Sequence, residues 1–139
     1  MYCNKLFFYL ICLSIFFLRI VIAADGDVIT INTDTTALQT ITDDNVTLIN
    51  NANLSRSGTQ VIQLGGTSGT TITNNAGASI TANKDVIRCT AACTNPTLNN
   101  FGTISNTTTA GGLIRFDKAT GAIVINNPGG VIKGVGNEA

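Results

Sequence analysis

Short apolar runs, each closed by a polar corner rich in Asn and Gly, recur along the chain from residue 28 onward. An Asn pair marks four of these corners, at Asn50-Asn51, Asn74-Asn75, Asn99-Asn100 and Asn126-Asn127, with steps of 24, 25 and 27 residues. Two residues after each pair stands Asn53, Gly77, Gly102 or Gly129. Gly, and less readily Asn, enters the left-handed region at low cost, so a similar corner is expected about every 25 residues. Self-similarity at such a period is the mark of a solenoid.

A second set of apolar runs keeps the same register. Val61-Ile62-Gln63-Leu64 corresponds to Val86-Ile87-Arg88-Cys89 and to Leu113-Ile114-Arg115-Phe116. Ten residues separate Leu64 from Asn74, Cys89 from Asn99 and Phe116 from Asn126, whereas the other side of the coil varies in length. Strand side chains alternate between faces. The pattern therefore predicts an inward column of Ile62, Leu64, Ile87, Cys89, Ile114 and Phe116, with Gln63, Arg88 and Arg115 pointing outward. A third run follows each corner, at Leu54, Ser79-Ile80-Thr81, Thr103-Ile104-Ser105 and Val131-Ile132-Lys133.

Three short strands per coil of about 25 residues, in roughly four coils, predict an all-β parallel β-helix. Stacked coils would set Asn50, Asn51, Asn74, Asn75, Asn99, Asn100, Asn126 and Asn127 into amide ladders along one corner. One detail is out of phase. Before the pairs stand Leu48-Ile49, Ile72-Thr73, Thr97-Leu98 and Val124-Ile125, so the apolar position slips by one between coils. Either the corner shifts or one run turns the other way. Val28-Ile29-Thr30-Ile31-Asn32 looks like the same strand and corner, and residues 28–49 are expected to form a smaller first coil acting as an N-terminal cap.

The N-terminus has a different character. A short positive start (1–5), an apolar stretch (6–18) and small residues before Asp25 fit a signal-peptide helix over 1–24, cleaved after Ala23 or Ala24. The apolar stretch is short for a membrane span, and an uncleaved anchor over 6–24 would have to tolerate Arg19. Residues 25–139 would then form the β-helical domain.

Removing 1–24 leaves no His, Trp or Tyr, and six basic against eight acidic residues, a net charge of −2. Nucleic acid is not an expected partner, because its binding needs a clustered basic face. Cys89 and Cys93 remain, and in an exported chain a disulfide between them is plausible. Closing so small a loop contributes about 2 kcal/mol at best. Cys89 also suits the apolar column, and both roles can hold together. Two sulfurs without His make no metal site, and no cofactor is expected.

Catalytic candidates are few. Asp43-Asp44 reads as a turn, and Arg88 and Arg115 as a solvated outer face offset by Asp85 and Asp117. Thr40-Ile41-Thr42 and Thr71-Ile72-Thr73 have the form of an ice-binding face, but their spacing of 31 residues does not match the coil period. No enzymatic activity is expected.

The runs NNAGASI, NNFGTI and NNPGGVI, placed behind a signal peptide, resemble the passenger regions of bacterial autotransporter proteins. The resemblance covers about residues 25–139 and rests on composition and period. It implies export to the periplasm, then display or release at the cell surface as a β-helical stalk or adhesin, associated with the outer membrane. The implied partners are the export machinery, through the signal peptide, and host or surface glycans or proteins. The chain departs from that family in having no run of alternating strands with aromatic girdles for a membrane barrel. No fourth member of the inward column and no capping helix follow the last coil, so an N-terminal piece of a longer passenger is expected, with downstream coils and a barrel as its continuation; a stand-alone short secreted protein is the alternative. The alternative is a fragment of a secreted carbohydrate-active β-helix enzyme, a lyase or hydrolase.

Overall fold

A computed structural model describes residues 23–135, so the expected signal segment lies almost wholly outside the described residues. Fifteen short strands wind as a parallel β-solenoid of about four coils. Three sheets run the length of the stack. The first contains β1 (Val28–Ile31), β3 (Thr47–Asn50), β6 (Thr71–Asn74), β10 (Thr97–Asn100) and β14 (Ile123–Asn126). The second contains β4 (Asn53–Arg56), β7 (Ser79–Ala82), β11 (Thr103–Asn106) and β15 (Val131–Lys133). The third contains β2 (Gln39–Ile41), β5 (Ile62–Leu64), β8 (Ile87–Cys89) and β12 (Ile114–Arg115). A small fourth sheet, which the sequence pattern did not predict, pairs β9 (Cys93–Thr94) with β13 (Ala119–Thr120).

Every strand pairs parallel with its copy one rung away. That register fixes the core, because alternation places every second side chain inside. Leu48, Ile72, Leu98 and Val124 form one inward file, and Leu54, Ile80, Ile104 and Ile132 a second. In the third sheet Gln39, Ile62, Ile87 and Ile114 stack beside Ile41, Leu64 and Cys89. Phe116 lies just past β12 and packs, half-buried, against the same core. Each fully buried Leu or Ile contributes roughly 1.5–3 kcal/mol. The contribution fades at the last rung, where Val124 is 45% exposed.

The register removes the slip seen in the sequence. The ladder position is Asn50, Asn74, Asn100 and Asn126, preceded at the bottom by Ile31. Rungs are therefore 19, 24, 26 and 26 residues apart. The short first step agrees with the smaller first coil expected over 28–49. In the third pair the ladder residue is the second Asn, and Asn99 instead points outward beside Thr73 and Ile125. The constant ten-residue spacing to Asn99 thus measured a non-equivalent position.

The corners also alternate in length. Gly77 and Gly129 have φ of +82° and +86°, but Asn53 and Gly102 are not left-handed. Asn53 opens β4 after a short corner. Gly102 follows another short corner and aligns with Ala52, Ala78 and Gly130, as shown by the bonds Ser79 N to Ala52 O, Thr103 N to Ala78 O and Val131 N to Gly102 O.

Candidate functional site

Two amide ladders climb the corner between the first and second sheets. In the inner ladder Asn50 Nδ2 donates to Asn74 Oδ1 (2.9 Å), Asn74 Nδ2 to Asn100 Oδ1 (2.9 Å) and Asn100 Nδ2 to Asn126 Oδ1 (2.8 Å). Asn50, Asn74 and Asn100 are fully buried. Their amide orientation is fixed by backbone carbonyls beside Nδ2, such as Ala52 O for Asn50 and Thr103 O for Asn74.

The outer ladder runs the opposite way. Asn75 Nδ2 donates down to Asn51 Oδ1 (2.6 Å), and Asn51 Nδ2 down to Asn32 Oδ1 (2.7 Å). Phe101 occupies the next position and ends it, leaving the buried Nδ2 of Asn127 without a partner. Phe101→Asn should restore an acceptor for that donor and a donor for Asn75 Oδ1. Against the loss of an exposed ring, the expected net gain is about 1 kcal/mol, read as a higher denaturant midpoint. A lower midpoint would mean that ring packing outweighs the ladder.

A third file was missed by the sequence reading. Gly26, Asn45, Gly69, Asn95 and Gly121 all have positive φ, between 50° and 81°. Each stands five residues before the corresponding ladder position 31, 50, 74, 100 or 126. The N–H groups of the first four bond to the rung above, as Asn45 N to Ser68 O (2.7 Å) and Asn95 N to Thr120 O (2.7 Å). The signal was available as an Asn or Gly at that fixed offset, the residues that tolerate this conformation.

Gln63, Arg88 and Arg115 stack outward on the third sheet. Asp85, expected on a solvated face, is instead buried at 1% exposure. Its Oδ2 meets Arg88 Nη1 (3.3 Å) and Arg115 Nη1 (3.2 Å), and its Oδ1 accepts from Gly112 N (2.9 Å). The long connection before β12 folds over it, and only a residue without Cβ fits at Gly111, where a Cβ would lie 2.8 Å from the Lys84 carbonyl carbon. Arg115 also pairs with Asp117 at 3.2 Å. These carboxylates, Asp85 foremost, raise the pKa of Arg115.

Cys89 and Cys93 are buried free thiols, so the expected bridge is not formed in this structure. Cys89 sits in the inward file above Leu64, and Cys93 Sγ donates to Ala91 O (3.4 Å). Burial, and then the neighbouring Cys93 thiol, push the Cys89 pKa well above the ordinary thiol range. It is therefore protonated and a poor nucleophile. Among the described residues no group of three or more Cys, Asp or Glu side chains is placed to hold a metal ion.

Thr71 stacks with Thr47 and Thr97, not with Thr40, which lies on the third sheet beside Gln63. The adjacent outward file is mixed, with Thr30, Ile49, Thr73, Asn99 and Ile125. The second sheet carries a shallow groove of about 730 Å³ lined by Thr36, Ser55, Arg56, Ser57, Thr81, Ala82, Asn83 and Thr107. Arg56 is held there by Thr59 Oγ1 (2.6 Å) and Thr36 O (3.1 Å). No family model, curated protein or solved structure matches the chain.

Proposed function

We propose that this chain is a non-catalytic exported solenoid, the stalk or adhesin part of an autotransporter-type surface protein. One observation carries the structural role. Three Asp carboxylates and three basic side chains are engaged in tying rungs together. Asp25 accepts from Asp44 N, Asp44 from Ser68 N and Asp34 from Asn53 N, each one rung away. Arg56 donates to Thr36 O, Arg115 to Asp85 and Lys118 to Thr90 O, again across rungs. The bonds from Asn53 hold the Asp34 carboxyl below its usual pKa. The hydroxyl-lined groove of the second sheet is the natural contact face for surface glycans or proteins, since it offers many donors and acceptors on a rigid support. Support for export comes from the sequence of residues 1–24.

The test is to express the full chain in a Gram-negative host, fractionate the cells and determine the N-terminus. The expected product begins at Ala24 or Asp25, lies outside the cytoplasm and is replaced by the longer precursor when signal peptidase is inhibited. An unprocessed chain in the cytoplasm would overturn the proposal.

A further inference from the structure

The chain carries three Asn-x-Ser/Thr triplets without Pro in the middle place: Asn45-Val46-Thr47, Asn53-Leu54-Ser55 and Asn106-Thr107-Thr108. In an exported protein this triplet is the acceptor form for N-linked glycosylation. The fold separates the three. Asn106 is 4% exposed and its Nδ2 donates to Lys84 O, so that amide is used inside the stack. Asn53 is exposed, but its Nδ2 donates to Asp34 Oδ2 (3.1 Å) and its Oδ1 accepts from Ser79 Oγ (2.8 Å). Asn45 is exposed, and its side-chain amide makes no hydrogen bond among the described residues.

The corner around Asn45 completes the acceptor. Val46 is fully buried, while Asn45 and Thr47 stand on the outer side of the chain. The file to which Asn45 belongs has Gly26 on the rung below and Gly69 on the rung above, which leaves the corner clear for a sugar. The amide leans over Gly69, where a Cβ would strike Asn45 Oδ1. Asp43 stands two residues before Asn45, and neither other triplet has an acid at that place. Periplasmic transferases read such an acid together with the triplet. Two rungs higher Asn95 repeats the left-handed corner, but Pro96 takes the middle place and closes Asn95-Pro96-Thr97 to the enzyme.

We propose that Asn45 is an N-glycosylation site, the acceptor of an oligosaccharide from a polyisoprenyl diphosphate carrier. Asn45 Nδ2 gives up one proton and bonds to C1 of the first sugar. The C1–O bond to the diphosphate breaks, and the lipid diphosphate departs with the bonding pair. No oxidant or reductant enters the step. It rests on the export proposed above, because carrier and transferase act on the exported side of the membrane.

The test mixes the purified full chain, folded in mild detergent, with a periplasmic oligosaccharyltransferase and its lipid-linked oligosaccharide. A standard acceptor peptide in the same tube shows that the enzyme is active. The intact mass should rise by one oligosaccharide, and electron-transfer fragmentation should place it on Asn45. Asn45→Gln should lose the addition. Thr47→Val removes the hydroxyl but keeps a β-branched residue on the strand, and should lose it too with circular dichroism unchanged. A wild type left unmodified would overturn the proposal, as would an oligosaccharide on Asn53 or Asn106 in place of Asn45, or an addition that survives in Asn45→Gln. Enzyme and donor are supplied to purified protein, so a failure of export in cells would leave a positive result here standing, and a negative result here would leave export standing.

Discussion

Gly102→Ala should destabilise the solenoid by about 3 kcal/mol, at the upper end of the overpacking range. A Cβ at this position would lie 2.5 Å from Asn75 O and 2.7 Å from Asn74 Nδ2, and closer still to Ala78 O. Two of these atoms are backbone of the rung below and cannot turn aside. The residue is not left-handed, so Ala meets no conformational penalty there and the loss measures rung-to-rung approach alone. Gly77→Ala supplies the contrast. That glycine has φ +82° and open space around its missing Cβ, so only the left-handed penalty of roughly 1–2 kcal/mol applies. Chemical denaturation of both variants checks the pair. Equal losses would show that the rungs are not in the close register described.

Asn74→Ala should cost about 4 kcal/mol. Asn74 is fully buried, accepts from Asn50 Nδ2 and donates to Asn100 Oδ1 and to Thr103 O (3.2 Å). Removing it leaves buried acceptors without a donor, each at about 1–3 kcal/mol, and opens a void in the corner. Asn74→Leu, which fills the space, should recover little, because the cost lies in the orphaned polar groups. Asn99→Ala lies outside the ladder and should change stability by no more than about 0.5 kcal/mol. Equal effects at 74 and 99 would return the ladder to the first Asn of each pair.

The architecture was legible because two periodicities coincide in the sequence: alternation within strands and recurrence of polar corners between them. The files of Ile62, Ile87 and Ile114, and of Leu64 with Cys89, follow from alternation alone. The exact ladder was not legible from the Asn pairs, because in Thr97-Leu98-Asn99-Asn100 the pair begins one residue early. Inward Leu98 aligns with Ile72 and so carries Asn100 into the core, since a shift of one residue turns every side chain to the other face. Steadier punctuation lay at Asn45, Gly69, Asn95 and Gly121, whose alternating identities hide a common backbone conformation. Asp85 was misplaced for another reason. Its burial depends on a long loop from the next rung, a contact that no local pattern encodes.

The most direct test of the stacked, in-register solenoid is a nuclear Overhauser experiment on the Asn side-chain amides. Cross-peaks should connect Asn50 with Asn74, Asn74 with Asn100 and Asn100 with Asn126, with slow amide exchange at the three buried members. A connection from Asn74 to Asn99, or no contact between these side chains, would contradict the account.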